Sequence, residues 1–117
     1  MGASFKDLKV WQRSRVLTVR IYSVTKSFPK EEQYGMTNQI RRAAVSIPSN
    51  IAEGHRRASD KEFIQFLKIA RGSLAEVETQ IIVAGDLQYV DVPTVEEISR
   101  EIEEIGKMIN GLINSLS

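Results

Sequence analysis

Apolar residues recur along the chain at alternating spacings of three and four, the pattern of helices that each bury one face. It is clearest near the C-terminus, where Val95, Ile98, Ile102, Ile105, Ile109, Leu112 and Leu116 form a seam and Glu96, Glu97, Glu101, Glu103 and Glu104 take the outward positions. Thr94 with Glu97 reads as a capping box, and Pro93 marks the end of the preceding loop. An earlier segment repeats the pattern through Phe63, Leu67, Ala70, Leu74, Val77, Ile81 and Ala84, introduced by a second capping box at Ser59 and Glu62. Phe66, Ile69 and Val83 widen its apolar face, which predicts neighbours on two sides. Glycine costs about 1 kcal/mol against alanine inside a helix, so Gly72 predicts a close helix approach and Gly85 a frayed end.

Near the N-terminus Val10, Leu17, Ile21, Val24 and Phe28 form another seam with Ser14 as its polar member, and Pro29 stops that helix. The stretch from Glu31 to Gly54 is helical in period through Met36, Ile40, Ala43, Ile47 and Ile51. Pro48 removes the hydrogen bond to the carbonyl of Ala44, which predicts a kink in a helix that continues to about Gly54. Nothing alternates convincingly with period two. The economical fold is therefore all-α: an antiparallel up-down-up-down four-helix bundle with connections near residues 28–31, 54–60 and 88–94.

At 117 residues and 13.2 kDa the chain is expected to be one domain, residues 1–117. Its 42% hydrophobic and 26% charged residues are those of a soluble globular protein. The longest apolar run, Ile81–Ala84, is too short to span a bilayer, and Lys6, Asp7 and Lys9 interrupt any signal peptide, so no membrane partner is expected. With no cysteine, a reducing cytoplasm suits the chain. His55 is the lone histidine, and neither a di-iron pattern nor a phosphate loop nor a nucleophile elbow occurs. The expectation is a protein that is not an enzyme, with no catalytic residue, no metal site and no cofactor.

The net charge of +1 conceals a split. Up to Arg71 there are fourteen Lys/Arg against six Asp/Glu; beyond it, two against nine. Lys6, Lys9, Arg13 and Arg20, with Val16 between them, share one side of a helix, and Arg56, Arg57, Lys61 and Lys68 form a second basic cluster. These eight are the candidate nucleic-acid contacts, with Trp11, Tyr22 or Tyr34 able to stack on a base where exposed; Trp11 also reads as a packing anchor.

The run Gln39 to Gly54 is unusual in carrying a polar seam beside its apolar one: Gln39, Arg42, Ser46, Ser49 and Glu53, with Asn50 next to it. Its small residues are unlike an ordinary solvated face. Two readings stand: a hydrogen-bonded network inside the bundle, with Arg42 meeting Glu76 or Glu78, or a subunit contact or binding groove. In either, Arg42 is not freely solvated. Two-sided apolar helices and a polar seam together predict a homo-oligomer.

Phe5–Trp11, Phe28-Pro29 with Glu32, the whole Gln39–Gly54 run and Phe66–Glu78 resemble the bacterial four-helix-bundle protein family. It is also called the intervening-sequence protein family, after members encoded in inserts within large-subunit ribosomal RNA genes. The resemblance implies an antiparallel bundle assembled as a ring-shaped homopentamer. It also implies kinship with the accessory protein of diversity-generating retroelements, a bundle that binds nucleic acid and the reverse transcriptase. The family has no established enzymatic activity. Two functions follow as expectations: a ring that binds structured RNA or DNA through its basic face, or a scaffold whose partner is another protein.

Overall fold

A computed structural model describes residues 4–117, with four α-helices, two single 3-10 turns and, among the described residues, no strand. The helices are α1 (Lys9–Thr25), α2 (Met36–His55), α3 (Asp60–Asp86) and α4 (Val92–Leu116); the turns are Phe5–Asp7 and Lys30–Glu32. Each helix approaches two others, in the cycle α1, α2, α3, α4 and back to α1. The approach of α2 to α3 is the most extensive and that of α1 to α4 the sparsest. The body measures 46 × 24 × 20 Å.

The seams are the core. Leu17 and Ile21, Ile40, Ile47 and Ile51, Leu67, Val77 and Ile81, and Ile98, Ile105 and Ile109 are all buried in a single cluster. Each contributes roughly 1.5–3 kcal/mol by leaving water. Ser14, the polar member of the α1 seam, is fully buried and donates to the Trp11 carbonyl. At the end of α4 Ile113 is buried, while Leu112 and Leu116 are only half-buried. A strict heptad drifts about 20° per repeat on a straight helix, which carries the seam off those two residues.

Several element ends differ from the sequence expectation. The cap of α4 is Asp91, whose Oδ1 accepts from the Thr94 amide at 3.0 Å, and Pro93 lies within the first turn, where its missing N–H costs nothing. The Ser59 box stands as expected, with Ser59 Oγ accepting from the Glu62 amide. Helix α2 starts at Met36 rather than Glu31, because residues 30–32 form a 3-10 turn from which Glu32 Oε1 accepts the Met36 amide.

The two flagged glycines of α3 exchange roles. Gly72 is exposed and an added Cβ would meet nothing, whereas one at Gly85 would lie 2.9 Å from Val95 Cγ2 on α4. The end of α3 does not fray. The Gln88 amide donates to Gly85 O and the Tyr89 amide to Ala84 O, with Gln88 left-handed at φ 66°, a Schellman stop built without glycine.

Candidate functional site

The basic stripe on α1 is divided by its neighbours. Arg13 Nε and Nη2 donate to the two carboxylate oxygens of Glu101 at 2.8 and 2.7 Å, and Arg20 pairs with Glu97. The charge split along the sequence thus places ion pairs between α1 and α4, the two neighbouring helices that approach each other least. Two of the four candidates on this stripe are engaged inside the chain.

The turn that carries Lys6 is joined to the end of α2. The Phe5–Asp7 turn is tied down by Gln12 Nε2 donating to Lys6 O at 2.8 Å and by the Phe5 ring set edge-on to Trp11 at 5.2 Å. From the end of α2, the Arg56 guanidinium lies 5.2 Å over the same Phe5 ring. The turn that carries Lys6 thus meets the end of α2 at Arg56, and α3 opens a few residues further on with Asp60, Lys61 and Glu62. Lys6, Lys9, Arg56, Lys61 and Lys68 are exposed and have no ion-pair partner among the described residues, whereas Arg57 pairs with Glu53 and stacks on Phe66.

The polar seam of α2 also divides. Ser46 hydrogen-bonds Ser73 of α3, whereas Asn50 Nδ2 donates back to Ser46 O of its own helix at 2.8 Å. Gln39, Arg42, Ser49 and Glu53 are exposed. Arg42 does not pair with Glu76 or Glu78; it is exposed and without an ion-pair partner among the described residues. Trp11 is half-buried against the core, as an anchor would be, with Arg15 5.6 Å over its ring. Tyr22 is covered by Arg41 at 4.7 Å, and Tyr34 is 88% exposed.

Three residues that matter here were not singled out from sequence: Glu101, Phe5 as the tether of the basic end, and Thr18. Only the motif containing Phe5 carried a signal. Thr18 Oγ1 lies 3.0 Å from the Ala44 carbonyl, the group Pro48 leaves without its amide, and 2.9 Å from Ser14 O. The helix runs through Pro48, with the Thr18 hydroxyl of α1 within reach of the carbonyl that Pro48 leaves without its in-helix amide.

The bond from Arg13 holds the Glu101 carboxyl below its ordinary value, and Glu101 in turn raises Arg13. An unfolded glutamate titrates near 4.3, so the stabilisation is complete above about that pH and is lost as pH falls through the lower folded value. Glu101→Gln is expected to cost no more than about 1 kcal/mol at pH 7, since Arg13 stays 43% exposed. Its stability should then decline less steeply than that of the parent below about pH 4.5 in acid titrations followed by circular dichroism. Parallel curves would show that the pair contributes nothing.

No cluster of three metal-ligating side chains occurs among the described residues, and no helix is long and apolar enough to cross a membrane. In comparisons with known proteins, the family model of the 23S rRNA-intervening sequence protein matches residues 6–111. A crystal structure of a protein with unknown function from the S23 ribosomal protein family of Bacteroides thetaiotaomicron is similar at a TM-score of 0.80 and 28% identity, over 89% of this chain and 97% of that one. No curated protein matches.

Proposed function

The chain belongs to the 23S rRNA-intervening sequence protein family, and from that premise we propose that it is a non-enzymatic, homo-oligomeric helical bundle that binds structured RNA. The observation that supports the reading is that Lys6, Lys9, Arg56 and Lys61 are exposed without an ion-pair partner among the described residues, with Arg56 set over Phe5 next to Lys6, while Arg13 and Arg20 pair with α4. Clustered unpaired cations bind phosphates by releasing condensed counterions. The proposed interface is therefore the start of α1 with the α2–α3 corner, and Lys68 extends it along α3. The antiparallel, ring-shaped form that the family resemblance implies is part of the same proposal. Its antiparallel sense is supported by partners that descend on α4 as α1 ascends, Arg13 with Glu101 and Arg20 with Glu97. A cytoplasmic location belongs to the same proposal.

The test is fluorescence anisotropy with a labelled RNA hairpin across a salt series. Reversing Lys6, Lys9, Arg56 and Lys61 to glutamate should weaken binding at least tenfold at low salt and flatten the log–log salt slope by roughly 3. Arg13→Gln/Arg20→Gln should change affinity less than about threefold. Absence of binding at low salt, or equal losses in both variants, would overturn the reading. It would favour instead a scaffold for a protein partner, for which the exposed Val16 and Val19 on α1 speak, at 64% and 66% exposure.

A further inference from the structure

Beside the Phe5–Asp7 turn, α1 and α2 leave a hollow of about 360 Å³ between them. Phe5 and Trp11 line it with two rings set edge to face at 5.2 Å, and Val45, Pro48 and Ala52 line it from α2. Its volume and apolar lining fall within the range of small-molecule pockets. The hollow also opens next to Lys6, so it adjoins the proposed RNA interface.

Arg15 is the one charged residue in the lining, and its guanidinium lies 5.6 Å over the Trp11 ring. Arg56 lies over the Phe5 ring at 5.2 Å, and neither arginine has an ion-pair partner among the described residues. Asp7 and Glu53 are the acids closest to the hollow along the chain, but neither lines it, and Glu53 is bonded to Arg57 at 2.7 Å. Rings, small aliphatic side chains and two free guanidinium groups together suit a flat aromatic occupant that carries an anion at its edge.

We infer that this hollow seats one unpaired nucleobase of the bound RNA, with Arg15 and Arg56 meeting the phosphates on either side of it; the inference rests on the RNA reading proposed above and adds a site to it. A base inside a duplex is stacked and paired on every side, so only a loop, bulge or end can present one. A splayed base regains on aromatic or guanidinium faces the stacking it loses in the RNA. The Thr18 hydroxyl in the lining is already engaged by Ser14 O and Ala44 O, which leaves the exposed Ser49 to meet a base edge. A single hydroxyl discriminates little, so the seat detects an unpaired base rather than a sequence.

Trp11 is the chain's single tryptophan, and its emission therefore reports the seat alone. Three RNAs of equal length are titrated at about 0.05 M NaCl, with anisotropy reporting binding: a hairpin with an unpaired loop, the same hairpin with an abasic loop, and a fully paired duplex. All three should bind, but only the first should quench Trp11, by at least a third at saturation. Ser49→Leu/Ala52→Leu, which fills the hollow from α2, should abolish the quench and weaken the looped hairpin at least about fivefold while leaving the duplex unchanged. Equal quenching by all three RNAs, looped RNA that binds without quenching, or a quench that survives in the filled variant would overturn the seat while RNA binding stands. Should that variant not fold by circular dichroism, the parent with looped and abasic hairpins decides alone. If no RNA binds at low salt, both readings fail.

Discussion

Gly54→Ala is expected to destabilise the protein by about 2 kcal/mol, while Gly72→Ala stabilises it by up to about 1 kcal/mol. Both glycines are helical, yet a Cβ at Gly54 would lie 2.7 Å from Phe66 Cβ and 2.8 Å from Phe63 Cδ1, with the Phe63 carbonyl at 3.3 Å. A Cβ and a main-chain oxygen cannot rotate away, so α2 and α3 would have to separate where their packing is most extensive. The helix propensity gained, about 1 kcal/mol, is too small to offset that overpacking. Gly72 is exposed with open space above it, so only the propensity gain remains. Urea unfolding at one fixed protein concentration should show midpoints shifted in opposite directions with unchanged slopes. Two shifts of the same sign would mean that the α2–α3 contact at Gly54 is not tight.

Thr18→Val is expected to cost about 1–3 kcal/mol in the parent and much less once Pro48 is replaced by alanine. In the parent the Ala44 carbonyl has lost its in-helix donor to Pro48, and the Thr18 hydroxyl at 3.0 Å replaces it from α1. Valine keeps the shape and removes the donor from α1, leaving the carbonyl of the buried Ala44 without it. In the Pro48→Ala background the new amide at 48 can bond Ala44 O, so the hydroxyl becomes dispensable. A double-mutant cycle measured by denaturant unfolding should therefore give a coupling of about 1 kcal/mol or more. Additive costs would show that the hydroxyl serves only Ser14 O, its other acceptor at 2.9 Å.

Where the sequence was misleading, a long-range partner had intervened. Arg13 and Lys9 are equivalent on a helical projection, but Glu101 claims one and leaves the other free. Gly72 and Gly85 have the same propensity, and only the position of Val95 makes the second a close approach. Arg42 is expected beside Glu76 or Glu78, yet it is exposed without an ion pair, whereas Ser46, one turn further on, reaches Ser73 of α3.

By itself the sequence determined the number and type of elements, the residues that form the core and the charge split, because helical period, capping and composition are properties of neighbouring residues. The family resemblance was legible too, since the Gln39–Gly54 run is contiguous. Tertiary structure alone decided which cations α4 pairs with, which remain exposed and unpaired, and which donor reaches Ala44 O beside Pro48. Those outcomes depend on distances between residues up to 88 positions apart, such as Arg13 and Glu101, and no local periodicity encodes such a distance.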